Sequence, residues 1–122
     1  MIQTQTYLNV SDNSGAKKIM CISIISTKRK YAKIGDTIIA VVKKASPNKI
    51  IKKSMIVKAL IIRTTKPLYR KHNNMYISFN ENAAIIINTD NTLKGTNIFG
   101  PVPRELMNIG FTNLNSTAKL II

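Results

Sequence analysis

The sequence predicts a mainly β chain closed into a small barrel. Four apolar runs of strand length, rich in β-branched residues, recur along the 122 residues, at 19–25, 37–42, 55–63 and 83–87. Clusters of turn formers separate them, a spacing that favours a closed barrel over a sandwich. The third observation is charge. Residues 17–71 hold 16 of the 19 basic residues against one acid, Asp36, for a local charge of +15 (16 − 1). Outside that stretch, Lys94, Arg104 and Lys119 face Asp12, Glu81, Asp90 and Glu105, leaving −1 (3 − 4). Self-repulsion on that scale disfavours compaction unless a polyanion neutralises it.

Residues 2–10 alternate in part (Ile2, Tyr7, Leu8, Val10) and read as a first strand. Ser11-Asp12-Asn13-Ser14-Gly15 packs five turn formers together, and Lys17 and Lys18 follow at the mouth of the next strand, 19–25. A cationic loop, 26–31, and the turn Ile34-Gly35-Asp36 lead into 37–42, which Lys43-Lys44 closes. Pro47-Asn48 breaks the chain again. In 55–63, Lys58 interrupts an apolar strand, which suits an exposed position or one facing a ligand. Pro67 opens a polar excursion in which Asn73-Asn74 can supply the positive φ values of a hairpin turn, with 75–79 as the return arm. Residues 82–88 form a further strand. Beyond Asn88 the residues Gly95, Gly100, Pro101 and Pro103 mark irregular backbone, and 103–110 fits a short helix with Pro at its start and Gly at its end. In 111–122, Phe111, Leu114 and Ala118 stand at near-helical spacing, but Asn115-Ser116-Thr117 interrupts it. Several runs lack clean alternation, so periodicity does not fix the strand register.

The length suits one domain over residues 1–122, and 44% hydrophobic residues exceed what a disordered basic tail carries. Catalytic chemistry finds no support. His72 is the one histidine and reads as a surface residue near RNA, and the acids are scattered. The Gly95 to Gly100 segment lacks the Lys-Ser/Thr ending of a phosphate loop and reads as a structural turn. Lone Cys21 allows no intramolecular disulfide, cannot build a zinc site with one histidine, and reads as a small buried hydrophobe. No catalytic residue, cofactor or metal is expected. No apolar run approaches the roughly 20 residues of a membrane span, and the cations are not gathered on one amphipathic helix, so no membrane partner is expected. The first residues carry no signal-peptide pattern, and the two Asn-x-Ser/Thr triplets read as chance matches. Enrichment in Ile, Asn and Lys points to an AT-rich gene, such as an organelle's.

The expected partner is nucleic acid. The cations cluster at strand ends and loops, beside turns whose backbone N–H groups can reach phosphates. The candidate contacts are Lys17, Lys18, Lys28, Arg29, Lys30, Tyr31, Lys33, Lys43, Lys44, Lys49, Lys52, Lys53, Arg63, Lys66, Arg70 and Lys71. Tyr31 could stack on a base or equally serve as a rim hydrophobe with a wet hydroxyl. Aromatics make up only 6% of the chain and there is no Trp, which favours backbone and shape recognition of folded RNA over stacking.

Several blocks together resemble one family. The opening Met-Ile-Gln-Thr-Gln-Thr-Tyr-Leu-Asn-Val-Ser-Asp-Asn-Ser-Gly-Ala-Lys-Lys-Ile-Met-Cys-Ile is similar to that of the universal ribosomal protein L-fourteen of the large subunit. The likeness continues at Arg29-Lys30-Tyr31-Ala32, Ile34-Gly35-Asp36, Lys58-Ala59, Ile62-Arg63-Thr64, Asn82-Ala83-Ala84 and from Gly95 to Leu106. The forms of 31–36 and of Pro47-Asn48 most resemble plastid members. The resemblance implies a five-stranded barrel with a projecting hairpin and short C-terminal helices, the helical segment falling within 101–122. It implies a non-enzymatic constituent of the large subunit that binds large-subunit rRNA, touches neighbouring large-subunit proteins and helps bridge to small-subunit rRNA. Some members also receive a ribosome-silencing factor. The implied location is the plastid (chloroplast) ribosome, with the mitochondrial ribosome second. Lys17, Lys18, Arg29, Lys30 and Arg63 match basic family positions expected near rRNA. Thr96, Asn97, Ile98, Phe99 and Arg104 fall on the expected bridge and protein-contact surface. Asn97 and Met107 stand where basic residues are usual, the tail 118–122 departs from the usual acidic ending, and Asn73-Asn74 replaces a usual Asn-Gly or Asp-Gly turn. The competing reading is a freestanding barrel that binds single-stranded nucleic acid.

Overall fold

The computed structural model describes residues 2–25, 28, 30–108 and 118–122. Five strands close a barrel: β1 (Tyr7–Val10), β2 (Ala16–Ile24), β3 (Thr37–Ala45), β4 (Ile56–Arg63) and β7 (Ala83–Ile87). Neighbours pair antiparallel except at the seam, where β1 lies parallel to β7. Between β4 and β7 the chain makes a two-stranded arm, β5 (Leu68–Arg70) with β6 (Met75–Ile77), turned by Asn74 at φ 53. After β7 come β8 (Ile98–Val102), the one-turn helix α1 (Glu105–Asn108) and β9 (Ala118–Ile121), which pairs parallel with β8. The closed five-stranded barrel agrees with the sequence expectation.

The missing alternation has a physical cause. Inward residues do alternate: Ile38, Ala40 and Val42 on β3, Ala59 and Ile61 on β4, and Ala84 and Ile86 on β7 fill the barrel with Leu8, Ile19 and Cys21. The outer face of β7 and that of the second half of β4 are also buried. Leu60, Ile62, Ala83, Ile85 and Ile87 pack there against Ile98, Val102 and Leu106 in a second core. A strand covered on both faces reads as a continuous apolar run, so the period-2 signal vanishes on β4 and β7.

The strands run further than the apolar runs suggest. Lys17 and Lys18 lie within β2, and Lys43 and Lys44 within β3. Irregular backbone was expected at 98–102, where the chain forms β8. Pro101 fits because β8 pairs with β9 alone in its sheet, where a missing donor is tolerated. Of the expected helical segment 101–122, Glu105–Asn108 is helical, Pro101 and Val102 finish β8, and Ala118–Ile121 is a strand. Ala118 onward pairs with β8, whereas Phe111 and Leu114, which carried the near-helical spacing, fall outside the described residues. Residues 109–117 lie outside the described residues.

Candidate nucleic-acid interface

The register of β2 on β3 sets Lys18 directly opposite Lys44, with irregular pairing on either side of Lys18. Both side chains are exposed. Like charges in facing positions destabilise a strand pair, so this contact works against the fold until an anion lies across it. The loop 46–53 brings more cations to the same end. Gly15, at φ +118, approaches so closely that a Cβ there would lie 2.6 Å from Lys49 Cβ, and Ser46 N–H donates to Gly15 O at 2.8 Å. Ile51, fully buried in the barrel core, pins the loop. Lys49, Lys52 and Lys53 remain exposed around it. Lys17 and Lys49 line one shallow groove, and Lys49, Lys52 and Lys53 line the next.

A second group, Lys28, Lys30 and Lys33, sits at the other end of β2 and β3, in their connection. All three are exposed. Lys30 Nζ stands 5.8 Å from the centroid of Tyr31, within cation–π range, so that ring already carries a cation. Asp36 accepts from Lys33 N–H at 2.9 Å and fixes the following turn. Arg29 lies outside the described residues. The basic stretch is thus divided between two ends of one barrel, with Lys66 and Lys71 exposed on the connection to the arm and at its tip.

Two arginines expected at RNA are placed differently. Arg63 is 4% exposed. Its Nη1 donates to Phe99 O (3.0 Å) and Pro101 O (2.9 Å), and its Nη2 donates to Ser11 Oγ and pairs with Glu81 at 3.1 Å. Arg70 Nη2 donates to Glu105 Oε2 (3.0 Å) and Ile122 O (2.7 Å). The reason is chemical: a planar fork of donors satisfies several fixed acceptors at once, which an ammonium group cannot do. These guanidiniums hold the fold, while the lysines face outward. Acids are consumed internally too. Asp12 is 6% exposed; its Oδ2 accepts from Ile86 N–H (2.9 Å) and its Oδ1 from Ser14 N–H (3.1 Å). Glu81 also accepts from Asn9 Nδ2 at 2.8 Å. Thr92 holds the exposed Asp90 carboxyl below its ordinary range by side-chain and backbone hydrogen bonds. Lys58, which could have faced a ligand, donates to Asn91 Oδ1 at 2.6 Å.

Gly100 completes the Arg63 cradle. It sits at φ +81, and a Cβ there would lie 2.8 Å from Arg63 Nη1. Gly100→Ala is expected to cost about 1–2 kcal/mol from the left-handed backbone alone, and more from the displaced guanidinium. A urea midpoint equal to wild type would refute this.

Over residues 1–122 the chain matches the family described as Ribosomal protein L14p/L23e. The chain belongs to this family. It is therefore a ribosomal protein, a structural constituent of the large subunit, found on the ribosome among ribosomal RNA and ribosomal proteins.

Two further surfaces stand out on this L14p/L23e member. The Ser11-Asp12-Asn13-Ser14-Gly15 cluster, legible as a turn, also clamps the 95–99 segment. Asn13 Oδ1 accepts from Thr96 N–H (2.8 Å) and Asn97 N–H (3.2 Å), Asn13 Nδ2 donates to Thr96 Oγ1 (2.7 Å), and Phe99 N–H donates to Ser11 O (2.7 Å). Thr96, Asn97, Phe99 and Arg104 are exposed, but Ile98, expected among the contact residues, is 2% exposed and belongs to the second core. The second surface was missed from sequence. Successive registers align Tyr7, Met20, Val41 and Ile56 in one row across β1 to β4, with Tyr7 and Ile56 well exposed. Its signal was present as every second residue of each strand, but only the cross-strand register joins the four. Cys21 is fully buried and burial pushes its thiol pKa up, in keeping with its reading as a small hydrophobe.

Proposed function

We propose that this ribosomal protein binds large-subunit rRNA through the two lysine-rich ends of its barrel. The observation that carries the reading is Lys18 facing Lys44, a repulsive contact at an irregular end of the β2–β3 pair that a phosphate backbone would relieve. Exposed Thr96, Asn97, Phe99 and Arg104 form the proposed surface for small-subunit rRNA across an intersubunit bridge and for a ribosome-silencing factor, with buried Ile98 anchoring the segment and Asn97 supplying no charge. The apolar row on β1 to β4 is suited to a neighbouring large-subunit protein. The role is architectural rather than enzymatic, and the organelle is the plastid, with the mitochondrion as second choice, on the strength of the sequence resemblance.

The test is sedimentation with large subunits in high salt. Retention is expected; release at moderate salt together with tight binding of short single-stranded oligonucleotides would favour a freestanding single-strand binder instead. Reversing Arg29 and Lys30 to glutamate is expected to impair incorporation into large subunits, since both lie in the cationic β2–β3 connection. Normal incorporation of the double variant, scored by quantitative mass spectrometry of purified subunits, would count against that end of the interface.

A further inference from the structure

The β5–β6 arm has two chemically different faces. On the inner face, Leu68 packs on the second core and Arg70 is tied to Glu105 and the Ile122 carbonyl. On the other face Tyr69 stands directly opposite Tyr76. Their rings lie 5.1 Å apart, tilted by 46°. They are 46% and 70% exposed, so half of the chain's four tyrosines are gathered at one solvent-facing spot. Tyr69 is further fixed by its hydroxyl donating to Asn74 Oδ1 at 2.5 Å. It also walls a cleft of about 110 Å³ whose other lining includes Ile34, Pro67, Lys33 and Lys66.

A cross-strand aromatic pair helps hold a two-stranded arm together. That role explains the contact between the rings but not their open faces, and it does not require lysines beside them. The arm is anchored on one side and presents aromatic surface on the other, with Lys33 and Lys66 in the cleft that Tyr69 walls. Aromatic faces that accept any base, beside cations that follow the backbone, are the elements of single-strand RNA recognition. We propose that Tyr69 and Tyr76 form a stacking platform for an unpaired RNA base, with flanking phosphates met by Lys33, Lys66 and Lys71. This rests on the rRNA reading above and adds to it a place where the protein touches base rather than backbone.

The test compares two probes on the purified full chain: a short oligouridylate, and an abasic phosphodiester strand of equal length and charge. Wild type is expected to prefer the base-bearing strand by roughly 5- to 100-fold, the range of one stacked base. Tyr69→Val with Tyr76→Val retains β-forming side chains and is expected to abolish the preference while leaving affinity for the abasic strand unchanged. Tyr76→Phe, which keeps the ring, is expected to preserve it. Equal binding of both strands by wild type, or a preference that survives the double valine variant, would overturn the platform and leave the face to a protein partner, with the lysine-driven reading intact. Failure to bind either strand would overturn both.

Discussion

Arg63→Ala is expected to unfold the molecule under conditions in which wild type is stable. The guanidinium reaches four acceptors on three separated segments: Ser11 after β1, Glu81 before β7, and the Phe99 and Pro101 carbonyls of β8. Glu81, 44% exposed, can turn to water, but each buried acceptor left without its donor costs about 1–3 kcal/mol, so the sum is a large share of the roughly 5–15 kcal/mol that a domain of this size has in total. Arg63→Lys restores the charge but not the fork, so it should recover only part of the loss. Urea denaturation reads this directly, as a fall in midpoint at constant slope. An unchanged midpoint for the alanine variant would mean that Arg63 is not the tie between the barrel and its second core.

Lys18→Gln with Lys44→Gln should move two observables in opposite directions. Loss of the facing like charges is expected to stabilise the free protein by about 0.2–1 kcal/mol. Loss of two phosphate partners is expected to lower the salt slope of RNA binding by about 1.4–1.8 and to weaken binding on the order of 30-fold near 0.1 M salt. Opposite signs separate this from general damage, which would lower both. Lys94→Gln, at an exposed lysine outside the basic stretch, serves as the matched control. If the double variant bound RNA as wild type does, the β2–β3 end would lose its place in the interface.

The barrel strands were legible because β-branched runs and turn residues are local signals. Their register was not, since burial on both faces erases the alternation that would set it, as on β4 and β7. β8 and β9 were hidden for another reason. Their parallel pairing joins Ile98 to Ala118 and Val102 to Ile121 across an intervening helix, and two prolines near β8 resemble a loop. The interface was readable as charge but not as geometry. Lysines and arginines look alike in a charge count, yet burial and hydrogen bonding assign Arg63 and Arg70 to the interior framework. Tyr69 and Tyr76 were invisible as a pair, because seven positions separate them until the hairpin turn sets them side by side.

The parallel seam also governs the order of events during synthesis. β1 is made first, but its partner on that side is β7, and the Asp12 carboxylate waits for the Ile86 amide, 74 residues later. At about 5–20 residues per second, that leaves the opening strand without its closing neighbour for roughly 4–15 s. During that interval the highly cationic middle of the chain has left the peptidyl-transferase centre without a completed fold to hold it. A nascent chain in that state exposes its cations before the strand that completes the barrel exists. The position of one strand in the barrel therefore makes delivery to the assembling subunit a problem of timing as much as of affinity.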